Sequence, residues 1–239
     1  MSLIVTTYAP EGIILAGDSR LTLNWGREID GITNNYSVTS SDSNNKVFRI
    51  KNKFGLATFG AADINGIPIA GYINQFIEEK ISDNTQIDEI PKSLHEFFGD
   101  NLGKPHTSFY LCGYKIENGI SIPYIFYINI NTGETNRINE FEGRIQYGAN
   151  WGGETEVMTR LLNNIQIHNG TDWVGLNATG VPFDFFTLQD AIDFCVYAVR
   201  TTTETFRFQQ RIKTVGGPID ILAIKPNETR WIKRKELGV

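Results

Sequence analysis

Ser2 is the residue best suited by type and position to do chemistry in this chain. If Met1 is trimmed, Ser2 carries a hydroxyl and a free α-amine on one carbon skeleton. The amine can then take the hydroxyl proton as the oxygen attacks an acyl carbon. An α-amine titrates near ~7.7–8.0, so a useful fraction is neutral at physiological pH and no side-chain base is required. A retained Met1 would acylate that amine and remove the base. Further along, Asp18 ends the apolar run Ile13-Ile14-Leu15-Ala16-Gly17. A carboxylate there is costly to bury unless it is paired. Thr6 and Thr7 are poorer nucleophiles, because they lie inside the first strand and out of register with Asp18. Other chemistries have less behind them. His95, His106 and His168 fall in separate segments without metal-site spacing, and no G-x-S-x-G elbow or P-loop occurs. No metal or cofactor is expected.

Four segments carry a resemblance. Gly12-Ile13-Ile14-Leu15-Ala16-Gly17-Asp18-Ser19-Arg20 follows Ser2 at a fixed distance. After it come Asn45-Lys46-Val47-Phe48-Arg49-Ile50, Gly55-Leu56-Ala57-Thr58-Phe59-Gly60-Ala61-Ala62-Asp63 and Val215-Gly216-Gly217-Pro218-Ile219-Asp220-Ile221. In this order they resemble the proteasome β-type subunits of the N-terminal nucleophile hydrolase superfamily, and the Gly-Gly-Pro-Ile-Asp form is similar to the bacterial proteasome-like (Anbu) branch. The resemblance implies Ser2 as nucleophile and Lys46 as its cationic partner. It also implies Asp18 as the acceptor holding Lys46, and the backbone N–H of Gly60 as oxyanion donor. An ammonium near the hydroxyl favours the alkoxide and depresses a neighbouring amine's pKa.

The same resemblance implies an α+β chain folded as a four-layer α-β-β-α sandwich of the N-terminal nucleophile hydrolase type. By the same likeness, the chain cleaves peptide amide bonds of peptides or unfolded proteins inside a ring or helical homo-oligomer. Two departures stand out. Ala149 falls where the family has a serine near the amine, with Asn150 beside it as a substitute polar group. Ile212 and Val215 replace an Asp and a Ser before the last Gly-Gly, with Glu204, Gln209, Gln210 and Asp220 as candidate replacements. These departures motivate a different reading, a catalytically silent proteasome-like scaffold or binding subunit. A third keeps the chemistry but takes small amides.

The elements that must position these residues follow from pattern. Short apolar runs around Pro10-Glu11, and Lys46 to Ile50 with Phe54 to Phe59, read as hairpins. Residues 24 to 45 are polar, and Thr39 to Asn45 is the clearest loop; because this insert links Asp18 to Lys46, it is expected near the mouth of the site. A helix starts near Gly66 with Ile69, Ile73, Phe76 and Ile77 on one face, and another spans Pro91 to Leu102. Ser108 to Ile116 and Ile120 to Ile130 form a hairpin through Asn118-Gly119. Arg144 to Ala149 reads as a strand leading into a helix with Val157, Leu161 and Ile165 aligned. Thr187 to Asp190 is a capping-box start for a helix through Val199. Pro218 to Lys225 and Thr229 to Lys233 close the chain as a hairpin.

Bulk properties narrow the classes. The 239 residues are read as a single domain spanning 1–239, with 41% hydrophobic and 21% charged residues, as in ordinary globular proteins. A net charge of -5 argues against a nucleic-acid partner. The one basic cluster, Lys233-Arg234-Lys235, reads as a solvated tail rather than a phosphate-binding patch. Cys112 and Cys195 sit in apolar segments and read as core residues rather than a disulfide. No apolar run reaches the ~18 residues of a membrane span, and no leader precedes the fold, so a cytoplasmic location without membrane partners is expected.

Overall fold

The computed structural model of the protein describes residues 2–236. Met1, whose removal the N-terminal serine chemistry requires, lies outside the described residues. Leu3–Ala9 (β1) and Gly12–Gly17 (β2) form an antiparallel hairpin, with Ile4 opposite Gly17 and Ala9 opposite Gly12. Both strands are buried along their whole length. That accounts for their continuous apolar sequence, since neither face meets water.

Leu21–Ile29 (β3) and Ile32–Ser41 (β4) then pair, among the described residues, only with each other. Asp30 and Gly31 join them with φ of 53° and 74°, the positive pair that a tight two-residue hairpin turn demands. Val47–Ile50 (β5) and Phe54–Gly60 (β6) follow, then the small ladder Asp63–Ile64 (β7) with Ile67–Pro68 (β8).

Ile69–Lys80 (α1) buries Ile69, Ile73 and Phe76 on one face, as the spacing predicts. Pro68 stands just before it, where a missing N–H costs nothing. Ile90–His95 (α2) starts the second predicted helix, which widens into a π-helical turn over Glu96–Asp100 instead of continuing regularly. Thr107–Glu117 (β9) and Ile120–Asn129 (β10) meet through Asn118-Gly119 as expected. Glu134–Arg137 (β11), Glu140–Phe141 (β12) and Arg144–Ile145 (β13) lead to Gly148–Gly153 (β14).

Glu156–Leu162 (α3) ends early, and Ile165–His168 (β15) pairs with Trp173–Leu176 (β16). Leu188–Phe208 (α4) carries the capping box, with Thr187 Oγ1 accepting from the Asp190 N–H at 3.2 Å and Asp190 Oδ2 accepting from the Thr187 N–H at 2.8 Å. Asp220–Lys225 (β17) and Glu228–Lys233 (β18) form the closing hairpin.

Two five-stranded antiparallel sheets result, ordered β14-β1-β2-β17-β18 and β11-β10-β9-β6-β5. Ile4, Tyr8, Ile13, Leu15 and Leu222 of the first pack with Ala57, Tyr110, Cys112 and Ile125 of the second. The opposite side chains of β1 and β2, among them Leu3, Val5 and Ile14, pack on α3 and α4. Leu56, Phe109 and Leu111 pack with the buried faces of α1 and α2.

The expected class does not hold. In place of an α+β four-layer α-β-β-α sandwich of the N-terminal nucleophile hydrolase type, the protein is mostly β, with 42% strand against 24% helix and, among the described residues, four α-helices and many small antiparallel sheets. The physical reason lies in segments that polarity made look like loop or helix. Residues 24 to 45 supply the β3–β4 ribbon, and the predicted helix through Ile165 stops at Leu162, so that Ile165 opens a strand. Asn163 leaves the helical region at φ -104°, ψ 155°, and the Asn164 side chain accepts the N–H of Ala178 at 2.9 Å, tying the chain back as a ribbon. Among the described residues no helix is long and apolar enough to cross a membrane.

Both cysteines are buried free thiols. They lie against opposite faces of β1: Thr6 Oγ1 is 3.5 Å from Cys112 Sγ, and Thr7 Oγ1 is 3.2 Å from Cys195 Sγ. Burial pushes each thiol up from 9.0 to about 12. The unfolded chain ionises these groups first, so their stabilising contribution is complete below pH ~9 and is lost as pH rises toward ~12. Raising the pH from about 8.5 to about 10.5 should therefore lower the urea midpoint. The slope per thiol should approach about 1.4 kcal/mol per pH unit. A pH-independent midpoint across that window would contradict the burial of both groups.

Candidate active site

Asp18 sits one residue past β2 and is 1% exposed. The β1–β2 ladder continues to it in a modified form. The Asp18 N–H donates to the Leu3 carbonyl at 3.2 Å, while the Leu3 N–H donates to Asp18 Oδ1 at 2.8 Å. Asp18 Oδ1 also accepts from Lys46 Nζ at 2.7 Å. The other oxygen, Oδ2, accepts from the N–H of Arg20 and of Gly216, both at 3.1 Å. Four donors thus converge on one buried carboxylate, which is how a charge at the end of an apolar strand is tolerated.

Lys46 is 2% exposed and stands just before β5, where its carbonyl accepts the N–H of Thr58 at 2.9 Å. Burial holds its ammonium below the usual lysine range. The Asp18 charge and hydrogen bond oppose that shift, and the nearby charges of Lys235 and Arg20 add to it. A lysine in this condition is closer to giving up its proton than one at the surface.

Ser2 is 7% exposed and directly precedes Leu3, so its backbone is joined to the N–H that Asp18 accepts. Its carbonyl accepts the N–H of Glu154 at 2.8 Å. Ser2, Asp18 and Lys46 are thereby brought to one end of the β1–β2 hairpin. Gly60 lies at the end of β6, opposite Thr107. Its neighbour Phe59 reaches the same end of the sheet. The Phe59 ring fills the space a side chain on Gly152 would need, 2.4 Å from an ideal Cβ, and Phe59 Cβ lies 3.6 Å from that of Gly153.

The expected substitutes for the departures do not take those places. Ala149 pairs with Thr7, well along β1 from Ser2, and the Asn150 amide donates to the Tyr8 hydroxyl at 2.7 Å. Gly153 and Glu154 are the residues of β14 and its end that meet Ser2. Ile212 is exposed and Val215 is a core residue beside α4. Glu204 pairs with Arg207 at the surface, and the Gln209 carbonyl accepts from Lys213. Gln210 has no place among the site's hydrogen bonds. Asp220 is taken by Lys235, which meets it through its ammonium and through its backbone N–H at 2.8 Å. Lys235 is therefore a buried partner, contrary to the reading of Lys233-Arg234-Lys235 as a solvated tail.

Sequence reasoning missed the group that supports Ser2 from below. Glu154 is 8% exposed; its Oε1 accepts from Thr214 Oγ1 at 2.7 Å and its Oε2 from Arg211 Nη2 at 3.0 Å. Arg211 also reaches Glu156 Oε2 at 2.9 Å. A second network, Arg20 with Asp42 at 2.7 and 2.8 Å, ties the start of β3 to the end of β4 beside Asp18. The Arg20 contact keeps the base of the insert next to the site, as its position in the chain predicts. The Glu154 side chain had one local signal, its place directly after Gly152-Gly153 at the end of a strand.

The chain matches no protein-family model and no curated protein, so the buried Asp18–Lys46 pair beside Ser2 stands as a site described by its own geometry.

Proposed function

We propose that the chain is an amide-bond hydrolase whose nucleophile is the hydroxyl of Ser2, acting on peptides or unfolded proteins in the manner of a proteasome-like peptidase. The observation that carries this reading is the 2.7 Å pair of Lys46 Nζ and Asp18 Oδ1, whose carboxylate also grips the peptide N–H immediately after Ser2. A buried ion pair costs desolvation and is weak evidence for stability alone. Its place beside Ser2, which becomes N-terminal if Met1 is removed, gives it a use.

The steps follow from the groups. With Met1 removed, Ser2 Oγ attacks the substrate carbonyl carbon and its proton passes to the Ser2 α-amine. The Lys46 ammonium favours the oxygen anion and discourages protonation of the amine before attack. The negative charge on the former carbonyl oxygen needs backbone donors, for which the N–H of Gly60 is the candidate. Collapse expels the amine product, which takes the proton from the Ser2 ammonium. Water then hydrolyses the serine ester by the reverse order of proton transfers. No metal or cofactor enters these steps.

The same reading includes self-association into a ring or helical homo-oligomer and a cytoplasmic location, with no nucleic-acid or membrane partner. Two buried free thiols and no disulfide among the described residues suit a reducing compartment. Turnover of short peptides tests the activity. Ser2→Ala should reduce it by at least about a thousandfold, as loss of a nucleophile does, and simple amides should be poorer substrates. Equal turnover by Ser2→Ala would remove the nucleophile from the account. Absence of turnover in a chain shown to lack Met1 would favour the silent scaffold.

A further inference from the structure

The basic C-terminal segment leads to a cavity of about 200 Å³ lined by Asn45, Phe48, Arg49, Asn74, Trp231 and Arg234 among others. It lies where the edge strands of the two large sheets, β5 and β18, meet α1. The guanidinium of Arg49 crosses that gap and reaches the Thr229 carbonyl at 3.5 Å, a marginal hydrogen bond. Arg234 lies over the Trp231 ring at 5.0 Å from its centroid, which limits its rotamers before any ligand arrives.

Among the described residues neither arginine has a carboxylate partner. Glu228 pairs with Arg230, Asp220 with Lys235 and Asp42 with Arg20, and Glu236, two residues after Arg234, is not among the residues lining the cavity. Two arginines, two asparagines and a tryptophan therefore line one opening, and no acid lines it. Its volume is below the ~300 Å³ at which drug-sized ligand pockets begin. It exceeds the roughly 30 Å³ share of one water several-fold.

We propose that this cavity is a binding site for a small oxyanion of the phosphoryl class, held by the fork-shaped guanidinium groups of Arg49 and Arg234. The planar forks match two oxygens of a tetrahedral anion each, a fit that a lysine pair would lack. Asn45 and Asn74 add neutral donors, and Trp231 closes one wall. The overall charge of -5 gives no general attraction for anions, so binding depends on these local groups.

Titration calorimetry of the full chain with inorganic phosphate, and in a second arm with a phosphomonoester, tests this. At low ionic strength one or both arms should saturate at millimolar concentration or below, and the stronger arm identifies the source of the phosphoryl group. The double variant Arg49→Gln/Arg234→Gln should weaken binding by at least about tenfold. Arg200→Gln, on the exposed side of α4, should leave it unchanged. Because a variant can misfold, the indole N–H resonance of Trp231 in the unaltered chain provides a second reading and should shift on phosphate addition while that of Trp151 does not. No binding in either arm, equal binding by the double variant, or a static Trp231 resonance would overturn the proposal.

Discussion

Asp18→Ala should cost about 3–5 kcal/mol of folding stability, because it strands the Lys46 ammonium in a buried site and leaves the N–H groups of Leu3, Arg20 and Gly216 without their acceptor. Domains of ordinary stability have only about 5–15 kcal/mol in total, so this one side chain carries a large share. Lys46→Met should cost less. Asp18 would keep three backbone donors, whereas among the described residues Lys46 has Asp18 as its one acceptor. The asymmetry distinguishes the network from a simple ion pair, for which both removals would cost alike. Both variants should lose peptide turnover. Urea midpoints and initial rates on the two proteins check the order, and a cheaper Asp18→Ala than Lys46→Met would contradict it.

Gly153→Ala should be nearly as damaging to activity while leaving the Asp18–Lys46 pair in place. An added Cβ at Gly153 would stand 1.9 Å from the Ser2 carbonyl oxygen and 2.8 Å from its carbon. Those are backbone atoms, so no side-chain rotation relieves the clash. Gly153 also has φ of +91°, where an L side chain is strained by about 1–2 kcal/mol. Ser2 must therefore move, and the 2.8 Å bond from the Glu154 N–H to its carbonyl must lengthen or break. A displacement near 1 Å at a reacting group lowers rate by roughly a hundredfold. Gly175→Ala, where nothing lies within 4 Å of the added carbon, serves as the control and should be silent in both turnover and melting temperature. Unchanged turnover in Gly153→Ala would mean that Ser2 does not need the position the strand gives it.

Much of the local structure was legible because its signals are short-ranged. Asn118-Gly119 forces a tight hairpin, and Thr187 with Asp190 marks the start of the 21-residue α4. That Asp18 needs a partner was legible because a carboxylate ending an apolar strand must find a cation or donors, but Lys46 as that partner came from the motif likeness. The misread segments are those where polarity and backbone preference disagree. Residues 24 to 45 look like a loop from their Asn and Ser content, yet Asp30-Gly31 supplies a hairpin turn that outweighs it. Ile165 continues the helical spacing of Val157 and Leu161, but the two asparagines before it end the helix. These ribbons, together with the smaller ladders, are what make the chain mostly β.

At the site, the unread part is the part that depends on distant residues meeting. Glu154 is joined to Arg211 and Thr214 across separations of 57 and 60 positions, which no periodicity encodes. Ala149 was expected near the Ser2 amine from motif likeness, whereas register puts it opposite Thr7. Lys235 looked like a tail residue by composition and is instead buried against Asp220.

The most direct measurement is the intact mass of the protein from its native host, before and after an electrophile that acylates N-terminal nucleophiles, followed by peptide mapping. The account predicts a chain lacking Met1 and a single adduct on Ser2, with no adduct on Ser2→Ala and a much slower one on Lys46→Met. A chain that retains Met1 and takes no adduct would contradict it, however closely Lys46 and Asp18 are paired.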